Sequence, residues 1–147
     1  MRRQPPLSLL CLMASLLLLP ASAHAAVCDA STTGLAFGSY RTFAAQPLDS
    51  AATITVRCDV LVAYTIALSP GGGSFADRQM TGPVQVLHYN LYLDVLRLIV
   101  WGDGTAATSV ATGLSLLGQH TVYGRVAARQ NISPGSYGDN IVITVTY

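Results

Sequence analysis

The most regular pattern in the chain is its last segment, "NIVITVTY", in which apolar side chains recur at every second position. Period two is the spacing of a β-strand, whose successive side chains point to opposite faces. The segment therefore predicts a strand with one strongly apolar face, made of Ile141, Ile143, Val145 and Tyr147.

The same period occurs in "ATITVRC" (52–58), which places Ile54, Val56 and Cys58 on one face. Further strands are predicted at 63–69, 86–93, 97–102 and 120–127, and an early one through "TGLAFGSY" (33–40). Turn signals such as "SPGGGS" and "SPGSYGD" separate them. This spacing predicts an all-β, immunoglobulin-like antiparallel sandwich. Only "LYLDVLRLIVW" (91–101) fits neither period, and a short helix is an alternative there.

The composition and the charge of the chain add two inferences, one about secondary structure and one about partners. After residue 25 the chain has six arginines and seven aspartates but neither lysine nor glutamate, whereas threonine, valine, isoleucine and tyrosine are plentiful. Such a composition favours strands over exposed helices. A near-neutral balance also argues against nucleic acid as a partner, because that requires a basic face.

Residues 1–25 have the features of an export signal. Arg2 and Arg3 precede the apolar run "LSLLCLMASLLLL", Pro20 interrupts it, and "AHA" supplies small residues for cleavage. A membrane anchor is the weaker alternative, because the run is short and no basic segment follows it. We expect a signal peptide at 1–25, one exported domain at 26–147 and no membrane anchor after cleavage.

Two cysteines, Cys28 and Cys58, follow the predicted signal. In an oxidising compartment an even pair predicts a disulfide rather than a metal or redox site, since the chain has no CxxC motif and no histidine cluster. The bridge would join two early strands and stabilise the fold by roughly 3 to 4 kcal/mol.

Residues with catalytic potential are sparse. His88 and His120 lie in strand candidates without metal-ligand spacing, and Asp103 in "GDG" lacks the further acidic ligands of a calcium loop. Asp94 and Asp139 lie beside turn residues, where aspartate bonds nearby backbone. The glycines of "PGGGS" lack the lysine of a phosphate loop. The sequence predicts no enzyme, no cofactor and no metal.

Several segments in fixed order resemble the spore coat protein U domain family, which includes subunits of archaic, Csu-type chaperone-usher pili. The resemblance spans Cys28 to Tyr147 and is carried by "STTGLAFGSY", "YNLYLD", "VWGDGT", "VYGRVAARQ" and "PGSYGDNIVITVTY". Cys28 and Cys58 match the family's early cysteine pair. The family's aromatic positions match Tyr89, Tyr92, Trp101, Tyr123 and Tyr137.

The resemblance implies an incomplete sandwich that lacks its last strand, so that a hydrophobic groove is filled by a strand from another protein. The partners it implies are a periplasmic chaperone, an outer-membrane usher and a neighbouring subunit, and the function is a surface pilus for attachment and biofilm formation. It assigns the groove edge to Ile141, Ile143, Val145 and Tyr147, with the Tyr147 carboxylate available to a basic chaperone residue. The segment "LDVLRLIVW" is unusually apolar for this family; we expect a well-buried strand, and a self-adhesive surface is the alternative.

The predicted cleavage bears on the place of the subunit in a fibre. Cleavage after Ala25 leaves only Ala26 and Val27 before Cys28. A donated strand needs roughly ten residues of alternating pattern. We therefore expect a subunit that accepts a strand without donating one, which corresponds to a tip position. The alternative is a stand-alone secreted coat or binding module that is not built into a fibre.

Overall fold

The computed structural model describes residues 25–147, and its regular elements in that range are all strands. In chain order they are β1 (Cys28–Thr32), β2 (Leu48–Leu68), β3 (Arg78–Thr81), β4 (Val86–Tyr92), β5 (Ala111–Val126) and β6 (Ile143–Thr146). Within this range no helix is long and apolar enough to cross a membrane. Apart from Ala25, the predicted signal peptide lies outside the described residues.

All strand pairs are antiparallel and follow the order β1-β2-β5-β4-β3, with β6 also pairing with β2. The long ribbon of β2 and β5 is the backbone of the fold. Its register shifts between Arg57 and Val62, which divides the ribbon into two halves. Such irregularities bend and twist a strand, so the ribbon curls at this point.

The core forms between the two halves of the ribbon. Ile54 and Val56 before the shift, and Tyr64, Ile66 and Leu68 after it, are all buried. The intervening threonines lie on the other face, as the period-two pattern predicted. Trp101 and Val126 complete the same cluster. The prediction of an all-β fold is confirmed: the curled sheet is an incomplete immunoglobulin-like sandwich.

The disulfide prediction is also confirmed. Cys28 and Cys58 are joined by an S–S bond of 2.06 Å. They are register partners at the start of β1. The bridge therefore holds the first strand against the middle of β2.

Several strand boundaries differ from the prediction. The segments predicted at 52–58 and 63–69 form one strand, β2, because the register shift between them bends the ribbon without ending the strand. β5 starts at Ala111, well before residue 120, and β6 covers only 143–146. Residues 33–40 form no regular strand. β3 was not predicted, because one of its two inward side chains, Arg78, is an arginine; the other is Met80.

That arginine, Arg78, is fully buried and fully bonded. Its guanidinium donates to the carbonyl oxygens of Ser69 and Trp101, at 2.9 and 2.8 Å, and to Oδ1 of Asn90 at 2.6 Å. Burial lowers the pKa of Arg78. These bonds connect three separate segments, so Arg78 fixes their positions beneath the core.

The expectation of a buried strand at 97–102 is wrong, as is the alternative of a helix at 91–101. Residues 93–99 instead form a turn that closes with a bond from the Leu93 amide to the Ile99 carbonyl, at 3.0 Å, and Val100 and Trp101 after it form only isolated β-bridges. The Asp94 carboxylate accepts hydrogen bonds from the amides of Leu98 and Ile99. The apolar side chains of the turn are 46 to 75% exposed. Their lack of a clear period reflects a turn whose backbone is fixed by a polar cap.

Candidate functional site

A cavity of about 960 Å³ lies between an early and a late segment of the chain. Its floor is apolar and comes from both halves of the ribbon and from the neighbouring strands. The buried floor residues are Ile54, Leu68, Met80, Leu87, Tyr89, Leu91 and Val122. We call this cavity the groove. The core residues of the floor therefore lie directly beneath this side of the sandwich.

The first wall of the groove is the segment 34–42, which follows β1. The Phe37 ring lies edge-on to Tyr89, with ring centroids 5.8 Å apart. Within the described residues, no backbone amide from Leu35 to Thr42 donates a hydrogen bond to a protein acceptor. Inward side chains therefore hold this wall in place, while its backbone donors stay free for another partner.

The second wall is the segment 132–143, which leads into β6. The amide and carbonyl of Gly138 exchange bonds with Thr81, at 3.0 and 2.8 Å. Ile141 and Ile143 line the groove beyond this point. Among the strands described, β6 pairs with β2 alone, so its other edge is open. An open strand edge is a template for pairing with a further strand.

One end of the groove has a polar contact. The Tyr89 hydroxyl donates to Oδ2 of Asp139 at 2.6 Å, and the Gly72 amide donates to Oδ1 at 3.0 Å. Burial raises the pKa of Tyr89 well above its usual range, and the bond to Asp139 adds to this effect. Asp139 thereby fastens the second wall to β4 and to the loop after β2.

The residues predicted for the groove edge lie in different places. Ile141 and Ile143 line the cavity, whereas Val145 packs against the core further along β6. Tyr147 is half exposed and does not line the cavity. Sequence reasoning missed the first wall. The alternating Leu35 and Phe37 in "GLAFG" were a usable signal for it.

The other polar candidates have local structural partners. His88 Nδ1 lies 2.7 Å from Asp77 Oδ1, and His120 Nε2 lies 3.0 Å from the Tyr64 hydroxyl. Asp103 accepts bonds from the amide and hydroxyl of Thr105, which confirms its predicted role in a turn. Across residues 25–147, no three potential metal ligands lie together.

Comparison with known proteins gives three results. The profile of the Spore Coat Protein U domain matches residues 14–144. Protein U of Myxococcus xanthus is 36% identical over 104 residues, which are 65% of this chain and 58% of that protein. The chain thus spans less than two thirds of this relative.

A solved structure also resembles the fold. It is the chaperone-tip adhesion subunit pre-assembly complex from the archaic chaperone-usher Csu pili of Acinetobacter baumannii. The TM-score is 0.59 at 19% identity, over 84% of this chain and 40% of that one. At this identity the likeness concerns the fold alone. The family profile covers most of the sequence, and the chain therefore belongs to the Spore Coat Protein U domain family.

Proposed function

We propose that this protein is an exported structural subunit of an archaic chaperone-usher pilus, assembled by donor-strand complementation. The observation that carries the proposal is the groove, which combines an apolar floor with two walls whose backbone edges are open. Strand addition uses both features: backbone bonds give affinity, and alternate side chains fill the pockets below.

The partners we propose are those that the family resemblance implies. A periplasmic chaperone would fill the groove first, an outer-membrane usher would receive the complex, and a neighbouring subunit would replace the chaperone's strand. An apolar groove needs such protection, because an open strand edge beside an apolar cavity favours aggregation. The fold likeness to a chaperone-bound pilus subunit supports this proposal.

We also propose that the subunit accepts a strand but donates none, as at the tip of a fibre. Signal cleavage after Ala25 would leave Ala26 and Val27 before Cys28. The Val27 amide donates to Oδ1 of Asp59 at 2.8 Å, and its carbonyl accepts from the Asp59 amide at 3.0 Å. Val27 is thus engaged with β2 of its own domain, which supports a role without donation.

The exposed turn 94–99 supports a role in attachment and biofilm formation. Val95, Leu96, Leu98 and Ile99 all project from it with large exposed fractions. A patch of this kind on an exported protein is suited to contact with another surface.

The second candidate function is a stand-alone secreted coat or binding module. Its support is the match to the Spore Coat Protein U domain, whose name refers to a coat protein. The two functions differ in one physical property, since only the pilus subunit must take up a strand.

Strand uptake can be measured directly on the mature domain. A synthetic peptide of about twelve residues with alternating apolar side chains should bind the groove and raise the melting temperature. At a hundredfold excess over its Kd the gain is about 2.7 kcal/mol, or roughly 10 °C for a domain of this size. A peptide of the same composition with its apolar residues clustered is the control.

Two variants test whether the groove is the binding site. Ile143→Asp puts a charge on the groove lining and should abolish binding, whereas Val142→Asp changes the adjacent exposed side chain and should leave binding intact. Circular dichroism of each variant checks that it folds. If the protein is a folded monomer and neither peptide changes its melting temperature, the coat or binding module is favoured.

A further inference from the structure

The first wall of the groove has an unusual backbone. Gly34 and Gly38 both have positive φ, at 72° and 74°, and they flank the triplet Leu35, Ala36 and Phe37. A Cβ at either glycine would meet nothing within 4 Å. A side chain would therefore fit at both positions. Glycine is favoured there because the left-handed backbone conformation is unfavourable for other residues.

This conformation puts Phe37 into the groove. Its ring lies against Tyr89 of the floor, and a Cβ on Gly124 of β5 would fall 2.8 Å from the end of the ring. Phe37 therefore occupies floor space that a side chain of an incoming strand would need. The absence of a side chain at Gly124 makes room for this contact.

The backbone of the triplet has little to hold it there. Among the described residues, the amides from Leu35 to Thr42 donate no hydrogen bond, and the nearest anchor is the bond from Ser50 Oγ to the Ala36 carbonyl, at 2.6 Å. By contrast, the chain on either side is fixed: Thr33 bonds to Thr53, and Phe43 bonds to Gln130. A loosely bonded segment between two fixed points is suited to move as a unit.

We propose that residues 34–38 form an internal plug that regulates strand uptake. In the closed state Gly34 and Gly38 turn left-handed and Phe37 covers the floor. In the open state both glycines become extended, Phe37 leaves the groove, and the free amides of this wall pair with the incoming strand. The inference rests on the proposed function, since it concerns access to the same groove.

The two glycines allow a sharp test. Alanine disfavours positive φ, so Gly34→Ala and Gly38→Ala penalise only the closed state. The binding-competent state then gains population, and the affinity for the alternating peptide should rise roughly five- to thirtyfold. Gly104→Ala is the matched control. Gly104 also has positive φ, at 88°, and leaves room for a Cβ, but it does not line the groove, so the peptide affinity of this variant should be unchanged.

Hydrogen exchange of the unmodified protein gives a second readout that needs no variant. The amides 35–42 should exchange fast in the free protein and become protected when the alternating peptide binds. Phe37→Ala should raise the peptide association rate, because it removes the plug and leaves the wall.

The outcomes separate the two levels of inference. If neither the unmodified protein nor the variants bind the peptide, the proposed function itself fails. If all bind it with equal affinity and amides 35–42 stay unprotected, strand uptake holds and the plug is wrong. Higher affinity in Gly34→Ala or Gly38→Ala, but not in Gly104→Ala, supports the plug.

Discussion

The Tyr89 hydroxyl donates a 2.6 Å hydrogen bond to the carboxylate of Asp139, 50 residues further along the chain. The tyrosine belongs to the groove floor, whereas the aspartate precedes the last strand and is also bonded by the Gly72 amide. One carboxylate thereby fixes the height of the second wall above the floor. The shape of the groove depends on this contact as much as on its apolar lining.

Tyr89→Phe should lower the free energy of unfolding by about 1 to 3 kcal/mol, because it removes a bond to a charged acceptor at a buried site. Urea unfolding at neutral pH measures the change. Tyr92→Phe is the control, since Tyr92 lies in the same strand and no side-chain bond of its hydroxyl is found within residues 25–147. Equal losses in both variants would contradict the assignment.

The same hydroxyl predicts a dependence on alkaline pH. A tyrosine in the unfolded chain has a pKa of about 10, and burial raises that of Tyr89. Below a pH of about 10, the Tyr89 hydroxyl keeps its proton in both the folded and the unfolded protein. Above it the unfolded chain loses the proton first, so the stability from this group falls by about 1.4 kcal/mol per pH unit. Urea unfolding at pH of about 9 and about 11 should show a smaller loss in Tyr89→Phe than in the unmodified protein.

Arg78→Lys should destabilise the fold by about 2 to 4 kcal/mol, although the variant keeps the positive charge. A lysine has a single nitrogen and cannot reach Ser69, Asn90 and Trp101 together, so buried acceptors lose their donors. Thermal and urea unfolding measure the effect. Arg41→Lys, at an exposed position, should leave stability unchanged. A stable Arg78→Lys variant would mean that water replaces the guanidinium.

Loss of the disulfide should cost roughly 3 to 4 kcal/mol, because the bridge closes a loop between residues 30 positions apart. The double variant Cys28→Ala, Cys58→Ala should unfold at lower urea than the oxidised protein. A reductant should bring the unmodified protein to the level of the variant and leave the variant itself unaffected. An unchanged midpoint on reduction would show that strand pairing alone holds β1.

The close packing of Tyr64 against Gly118 predicts that substitutions at these two positions affect stability non-additively. A Cβ on Gly118 would collide with the Tyr64 hydroxyl oxygen, which also bonds to His120. Gly118→Ala alone should cost about 3 kcal/mol through overpacking, and Tyr64→Phe alone about 1 kcal/mol. In the double variant the collision with the hydroxyl is gone and only the tighter-than-usual approaches to Tyr64 Cζ and Ser115 Oγ remain, so the combined loss should be at least about 1 kcal/mol smaller than the sum. Gly138→Ala combined with Tyr64→Phe should be additive.

The strands that alternate cleanly were predictable. In β2 the pattern around Ile54 and Val56 identified the buried face, because alternate side chains of a strand must point to opposite sides. The disulfide was predictable as well, since only two cysteines follow the predicted export signal and an oxidising compartment would join them. These are properties of local geometry and of composition, which the sequence carries without reference to distant residues.

The groove was decided by the tertiary structure. Whether Ile141 and Ile143 line a cavity or a filled core depends on where the curled ribbon places the segment 34–42, and no local pattern encodes that curl. The exposure of residues 94–99 was also decided by the tertiary structure. Their apolar run predicted burial, but the Asp94 carboxylate caps a turn from which the apolar side chains point outward. Arg78 was unpredictable for a related reason: its guanidinium is buried because acceptors from three separate segments, on Ser69, Asn90 and Trp101, surround it. The period and the composition of a segment show which of its faces is apolar. Whether that face is buried depends on the packing of distant segments, which the tertiary structure alone determines.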